Sequence, residues 1–535
     1  MSRFRLLLFT ILYTCMFSAV GFAQDASIAA DETASAAMDE TLATDARADE
    51  SSGDEVAAAA SFADTIDDAF GVVVGKMATV LFWQPFFGIP LIVLVLLFGS
   101  IFFTFYHGWF NVRGFKHALD VTRGKYDNPD DPGEISHFQA LTSALSATVG
   151  LGNIAGVAVA ITLGGPGAVV WMMLIGILGM SAKFNECTLA QLYRKIDPDG
   201  TVHGGPMYYL EIGLQERGLP KVVAKAFGLI FAVFCIGGSF GGGNMFQANQ
   251  ATKAIEGIVG DFGDYRWLLG ATLAFLVGLV IIGGIKRIGQ VTEKIIPLMC
   301  GIYVLAGLVV LLSNASAIPG ALALILREAF SPSAAISGGL IGVMVQGIKR
   351  AVFSNEAGIG SAAIAHAAAK TGEPVREGVV AMLGPFIDTV VICTMTALVV
   401  IVSGAYNTPG VGEGVEMTRW AFEHTLSWFP IILGISVFLF AYSTMISWSY
   451  YGEKCWQYLF GNSSAASLTY RVIYLFFIVL GSISSLSNVI DFSDLMILSM
   501  AFPNVIGGIL LAPRVKSMLR DYWARFKNNE FKRYS

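Results

Sequence analysis

The chain has 535 residues, 55% of them hydrophobic and only 14% charged, with a mean hydropathy of +0.64 and a formal net charge of −6. Soluble domains carry about 25% charged residues, so soluble classes are excluded and a polytopic membrane protein remains. The six cysteines (Cys15, Cys187, Cys235, Cys300, Cys393, Cys455) lie in or beside apolar runs without paired or metal-ligand spacing, and read as packing residues. The scattered histidines form no metal cluster, and cytoplasmic basic residues next to lipid call for no nucleic acid.

Residues 1–23 carry Arg3 and Arg5, the apolar run Leu6–Val20 and a small-residue end before Gln24, the pattern of a signal peptide. An uncleaved first helix is the competing reading. Residues 24–69 hold 13 acidic residues against the single Arg47 and too few large apolar groups for a core, so they read as a disordered, solvated tail. A short interfacial helix is expected over 64–80. Eleven apolar segments suited to a bilayer core about 30 Å thick follow. The first, near 86–106, stands with its interfacial lead-in as a unit over 70–106. The others lie near 138–162, 166–192, 222–255, 267–284, 289–313, 334–366, 376–403, 428–457, 470–487 and 492–512, and 513–535 is a basic terminus. If the tail is outside, 23 Lys and Arg fall on inner connections and the C-terminal end, and five fall outside (Arg47, Lys76, Arg266, Arg327, Arg419). That asymmetry obeys the positive-inside rule and predicts an N-terminus outside and a C-terminus inside.

Two segments read as interrupted. Glycines stand at 150, 152 and 156 in Ser146-Ala-Thr-Val-Gly-Leu-Gly-Asn-Ile-Ala-Gly156, and the second interruption is Phe353-Ser-Asn-Glu-Ala-Gly-Ile-Gly-Ser361. Glycine permits backbone that other residues resist, and a broken membrane helix frees amides and carbonyls for an anionic solute and a cation. A glycine-rich packing face is the plainer alternative. The breaks fall in the first and sixth of the last ten segments, which points to an inverted repeat: 138–313 as one five-helix half, 334–512 as the other. Asp388, in Gly384-Pro-Phe-Ile-Asp-Thr389, lies near mid-depth, either as a cation ligand or as a structural carboxylate. Lys183 and Glu186 are spaced to pair. Lys349, Arg350 and Glu356 flank the second break, as a gate or satisfying one another near the cytoplasmic end. Gln247 and Asn249 place polar groups on the fourth span. The ninth carries Ser443-Thr-Met-Ile-Ser-Trp-Ser-Tyr-Tyr451. No nucleotide-binding loop, metalloprotease His pair or nucleophile elbow is present, so an enzyme is not expected.

From about residue 80 to 515 the chain resembles the alanine or glycine:cation symporters. The resemblance is carried by Ile135-Ser-His-Phe-Gln-Ala140, Gly152-Asn-Ile-Ala-Gly-Val157, Gly164-Gly-Pro-Gly-Ala168, Gly204-Gly-Pro-Met-Tyr208, Val352-Phe-Ser-Asn-Glu-Ala-Gly358 and Trp448-Ser-Tyr-Tyr-Gly-Glu-Lys454. It departs at Val170-Trp-Met-Met173, where the family usually reads Phe-Trp-Met-Trp, a difference that bears on packing of the third span.

The resemblance implies an all-α, leucine-transporter-like fold: ten core helices as a 5+5 inverted repeat with broken first and sixth helices, and one extra span in front. It also implies sodium-driven uptake of alanine or glycine, and the reading taken is a symporter of a bacterial inner membrane. By similarity, the break at Gly150, Leu151 and Gly152 takes the substrate carboxylate on its N–H groups, and Gln247, Phe353, Ser354 and Trp448 line the pocket. One sodium is expected at Asn153, the Thr148 carbonyl and Ser354, with Asp388 adjacent. A second is expected between the carbonyls of Ser146 and Val149 and the hydroxyls of Ser443 and Thr444. Gly156 stands where neurotransmitter relatives carry a gating arginine, which leaves the outer closure open. A proton-coupled or facilitative carrier, with Asp388 or Glu356 titrating, and a non-transporting amino acid sensor are the rivals. Sodium number, alanine against glycine, D against L and oligomeric state are not fixed by the sequence.

Overall fold

Backbone amides in a bilayer must find partners within their own segment, and long apolar runs therefore fold as helices. The computed structural model describes residues 79, 82–86, 88–330, 339–425 and 428–534. The signal peptide, the acidic tail and all of the expected interfacial helix but Thr79 lie outside the described residues.

In chain order the helices that frame the interior are α1 (Leu91–Tyr106), α2 (His137–Thr148), α3 (Gly152–Gly164) and α4 (Ala168–Leu192). There follow α5 (Lys221–Val259), α6 (Gly263–Ile281), α7 (Gly284–Ser313), α8 (Ile318–Phe330) and α9 (Gly339–Asn355). The remainder are α10 (Ala363–His366), α11 (Pro374–Val402), α12 (Val415–Glu423), α13 (Phe429–Phe460), α14 (Ser464–Ile483), α15 (Leu486–Ser499) and α16 (Ala501–Lys527). Among the described residues eight helical spans, α15 and α16 counted as one, are long and apolar enough to cross a membrane, and α2 with α3 forms a bent ninth. The chain is thus a multi-pass membrane protein. α1 and α9 are shorter, at 16 and 17 residues.

The described parts of the apolar runs fall largely on these helices, with ends displaced. α7 begins at Gly284, so Lys286, Arg287 and Lys294 sit in its first turns. The basic terminus expected over 513–535 is helical as far as Lys527. Lys and Arg are good helix formers, so leaving the apolar region does not end a helix. The short helices α8 and α12 and a hairpin of two-residue strands, Lys195–Ile196 with Val202–His203, were not foreseen.

α2 packs against α7 and α13, α4 against α9 and α11, and α5 against α13 and α15, while α1 lies beside α4 and α16. α6 and α14 pack on each other at the rim and expose Phe275, Leu279, Val472 and Phe476, a surface suited to lipid. The interior is different: Asn153, Ser354, Asp388 and Ser443 are all buried there.

At the end where α2 begins, Ser136 and Gln139 form a reciprocal cap: the Ser136 hydroxyl accepts from Gln139 N–H at 3.1 Å, and Gln139 Oε1 accepts from Ser136 N–H at 3.2 Å. Arg194 ties this entry to the segment after α10, donating to the carbonyls of Ala367, Ala369, Pro132 and Thr371. Glu377 accepts from both His137 and His366. These contacts tie the start of α2 to α4, α10 and α11.

Candidate functional site

α2 and α3 meet at 52°. Between them Val149, at φ −77° and ψ 83°, leaves the helical path. Neither Gly150 nor Gly152 takes a positive φ. Their missing side chains serve close approach instead. A Cβ on Gly150 would strike Thr444 Oγ1, and one on Gly152 would lie 3.4 Å from the Ser354 hydroxyl. The plainer packing reading of these glycines thus holds alongside the break itself. The bend aims the carbonyl end of α2 and the amide end of α3 into the interior, and such ends favour a cation and an anion respectively.

The second break follows Asn355, where Glu356 adopts φ 56° and Gly358 and Gly360 adopt φ 86° and 89°. A Cβ on Gly360 would also come within 2.7 Å of Pro206, so that position needs glycine twice over. Lys183 donates to the Glu356 carbonyl at 3.1 Å and stands 3.7 Å from Glu186, which is the expected pairing. Lys349 and Arg350 do not satisfy Glu356. Both pair with Asp494 of α15.

The residues expected to line a substrate meet at the π-turn Gly241–Met245 within α5. Gln247 donates to the Gly242 carbonyl at 2.8 Å, while its Oε1 accepts from Leu151 N–H at 3.1 Å. A Cβ on Gly242 would lie 3.0 Å from Phe353 Cζ, and one on Gly243 would strike Trp448. Phe353 packs edge-on to Phe246 with centroids 5.3 Å apart. Small residues on α5 thus let two large aromatic rings pack closely on the turn that leads to Gln247. The Leu151 amide, expected to face a carboxylate, is held by Gln247 in this structure.

Two oxygen clusters flank the break. In one, Asp388 Oδ1 accepts from Asn153 Nδ2 at 2.6 Å and from the Ser354 hydroxyl at 3.0 Å, and Oδ2 accepts from the Thr389 hydroxyl at 2.6 Å. Asn153 Oδ1 and the Thr148 carbonyl both accept from Gly150 N–H, each at 2.9 Å. Asp388 is fully buried and takes part in no ion pair among the described residues. An ionised carboxylate buried with neutral donors alone carries a desolvation cost of several kcal/mol, which a bound cation offsets. The ligands are oxygen, as a hard ion requires. The Cys393 thiol, 3.3 Å from Asn153 Nδ2, closes one side.

The other cluster joins α2 to α13. The Ser146 hydroxyl donates to the Ser443 carbonyl at 2.6 Å, and the Thr444 hydroxyl donates to the Ser146 carbonyl at 3.0 Å. The Ser443 hydroxyl donates to the Phe440 carbonyl at 3.1 Å. Val149 is buried one residue from Gly150, against which Thr444 packs. No charged group belongs to this cluster.

Thr389, Asn355 and Cys393 were not anticipated. Asn355 Nδ2 donates to the Thr389 hydroxyl at 2.9 Å and thereby steers its proton to Asp388. Position 389, next to an intramembrane carboxylate, was the available signal. Asp494 was missed as well, although it is an ionisable residue in a span.

Two broken helices facing each other across oxygen-lined clusters, with no arranged nucleophile among the described residues, are the geometry of a secondary transporter. Comparison with known proteins agrees. The profile of the sodium:alanine symporter family matches residues 72–535, and the chain belongs to that family. It is 42% identical over 454 residues to the sodium/alanine symporter AgcS of Methanococcus maripaludis, covering 84% of this chain and 96% of that protein. It is 39% identical over 434 residues to the probable sodium/glutamine symporter GlnT of Bacillus subtilis, covering 81% and 87%. In fold it is similar to MhsT, crystallised with L-phenylalanine, at a TM-score of 0.50 and 17% identity over 71% of this chain and 89% of that one. That likeness establishes the leucine-transporter-like fold alone.

Proposed function

We propose that the protein is a sodium-coupled symporter that carries alanine or glycine into the cell by alternating access. The observation that carries this reading is the buried, unpaired Asp388 carboxylate beside the first helix break, gathered with Asn153 and Ser354. In this account sodium enters between Asp388, Asn153, Ser354 and the Thr148 carbonyl. The amino acid carboxylate takes the amides at Gly150–Gly152, displacing Gln247 from Leu151. A second sodium occupies the Ser146, Val149, Ser443 and Thr444 oxygens. The side chain lies against Phe353 and Trp448, and the close packing of those rings on Gly242 and Gly243 favours a methyl group or hydrogen. Family membership and the name of the AgcS relative support both the ion and alanine. Ion and substrate have opposite charge and adjacent seats, so each raises the other's affinity.

The same reading includes eleven spans, ten of them in two inverted five-helix halves (138–313 and 334–512). It also includes a cleaved signal peptide over 1–23, an outer N-terminus, a cytoplasmic C-terminus and a bacterial inner membrane. The distribution of Lys and Arg supports that orientation.

The test is radiolabelled alanine uptake into proteoliposomes under an inward sodium gradient, and again with potassium in its place. Accumulation with sodium alone is expected. Equal uptake in both would move the reading to proton coupling or facilitation, and binding without uptake would make the protein a sensor.

A further inference from the structure

Gly156 leaves the first broken helix without a cationic side chain above the break, yet the aromatic pair packed on α5 has a charged group of its own. Arg350, on α9 one turn before Phe353, places its guanidinium 5.1 Å from the centre of the Phe353 ring. Its Nη2 donates to Asp494 Oδ2, and Lys349 Nζ stands 3.0 Å from the same carboxylate. Arg350 and Asp494 are both buried. Asp494 belongs to α15, whose neighbours Ser493 and Ile497 press on Gly241 and Gly242 of the π-turn. The ion pair therefore joins the second broken helix to the helix that backs the α5 glycines, directly over the Phe353 ring that packs on Gly242. It lies on the side of the site where α15 begins, about two turns from the first residue of that helix. At that end a depression lined by Lys253, Glu256, Glu416 and Arg419 opens to the protein surface.

The pair is incompletely satisfied. Arg350 Nε and Nη1 and Asp494 Oδ1 are buried without a hydrogen-bond partner. A buried ion pair built as a staple repays its desolvation only when its remaining donors and acceptors are filled. Here, separating α9 from α15 would return three polar atoms to water, so opening offsets part of the Coulombic loss. A contact balanced in this way suits a closure that forms and breaks in each cycle. Orphaned buried polar atoms in a native structure call for such a reason.

We propose that Arg350 and Asp494 form the outer gate of the transporter: the pair closes over Phe353 when substrate is seated and opens to admit it, with Lys349 holding Asp494 in reach. The proposal rests on the transport reading above. Its test is release of radiolabelled alanine from the purified full-length protein in sodium, chased with unlabelled alanine. Arg350→Gln, Asp494→Asn and the double variant are each expected to speed release by about tenfold or more, the size of a lost hydrogen-bonded charge contact. The double variant should be no faster than the faster single, and Arg350→Lys should fall between. Equilibrium alanine binding should stay sodium-stimulated, which shows that the variants are folded. Unchanged release in variants that still bind with sodium would overturn the gate, as would a double variant whose effect is the product of the singles. If neither single variant binds, Arg350→Lys decides: wild-type release there contradicts the proposal. A wild-type protein that binds no alanine in sodium would instead contradict the transport reading.

Discussion

The two oxygen clusters beside the first break differ in kind. The Asp388 cluster spans α3, α9 and α11 and centres on a full negative charge in the interior. The Ser146–Ser443–Thr444 cluster bridges only α2 and α13 and is built from carbonyls and hydroxyls. Charge holds an ion across a range of geometries, whereas neutral oxygens hold one only while their spacing is right. The first cluster is thus suited to binding an ion strongly and neutralising its site. The second is suited to sensing whether α2 and α13 are together. One ion would supply affinity and the other would report conformation.

Variants that remove charge should separate the two most sharply. Asp388→Asn keeps shape and hydrogen bonding but deletes the charge. Sodium titration of alanine binding is expected to show half-saturation raised by roughly a hundredfold or more, in line with about 3 kcal/mol for stranding a buried ion. An unchanged titration would make Asp388 structural and erase the contrast. Gly150→Ala comes next: its methyl would enter the space of Thr444 Oγ1 and push α2 from α13. Overpacking of this kind costs about 1–3 kcal/mol, and sodium-driven uptake should fall about tenfold while protein yield holds.

Thr444→Val removes one hydroxyl at constant volume. A neutral hydrogen bond is worth about 0.5–1.5 kcal/mol, so sodium half-saturation of uptake should rise by a factor of about three to ten, with the Asp388-dependent binding step intact. If Thr444→Val matches Asp388→Asn in size, the neutral cluster is no weaker than the charged one. Gln247→Ala should give the smallest change, a few-fold fall in alanine half-saturation at fixed sodium, because Gln247 no longer competes for Leu151 N–H and the water that replaces it is displaced more readily. A shift in sodium half-saturation alone would place Gln247 with the ions instead.

Much of this was legible in the residues because membrane helices announce themselves. Apolar runs gave the spans, and the glycine clusters at 150–156 and 358–360 gave both breaks. Polar residues at 153, 354, 388, 443 and 444 had to be inward because lipid offers them no partner. What the glycines do at the first break was less legible. Gly150 and Gly152 keep negative φ, and their purpose lies in Thr444 and Ser354, far away in sequence. Asn355 and Thr389 became visible only when α9 met α11. Arg350 was misplaced for a related reason: it was read with Glu356, its neighbour in sequence, whereas its partner is Asp494, 144 residues away on α15. Helical periodicity tells which face a residue occupies but not which helix that face will meet.

The most direct measurement is equilibrium alanine binding to the purified protein across a sodium series, wild type beside Asp388→Asn, with sodium affinity then measured across an alanine series. The account predicts that sodium tightens alanine binding in the wild type, that alanine tightens sodium binding by the same factor, and that Asp388→Asn moves both effects together to roughly a hundredfold higher sodium or beyond. Alanine affinity independent of sodium in the wild type, or equal coupling in the variant, would contradict it.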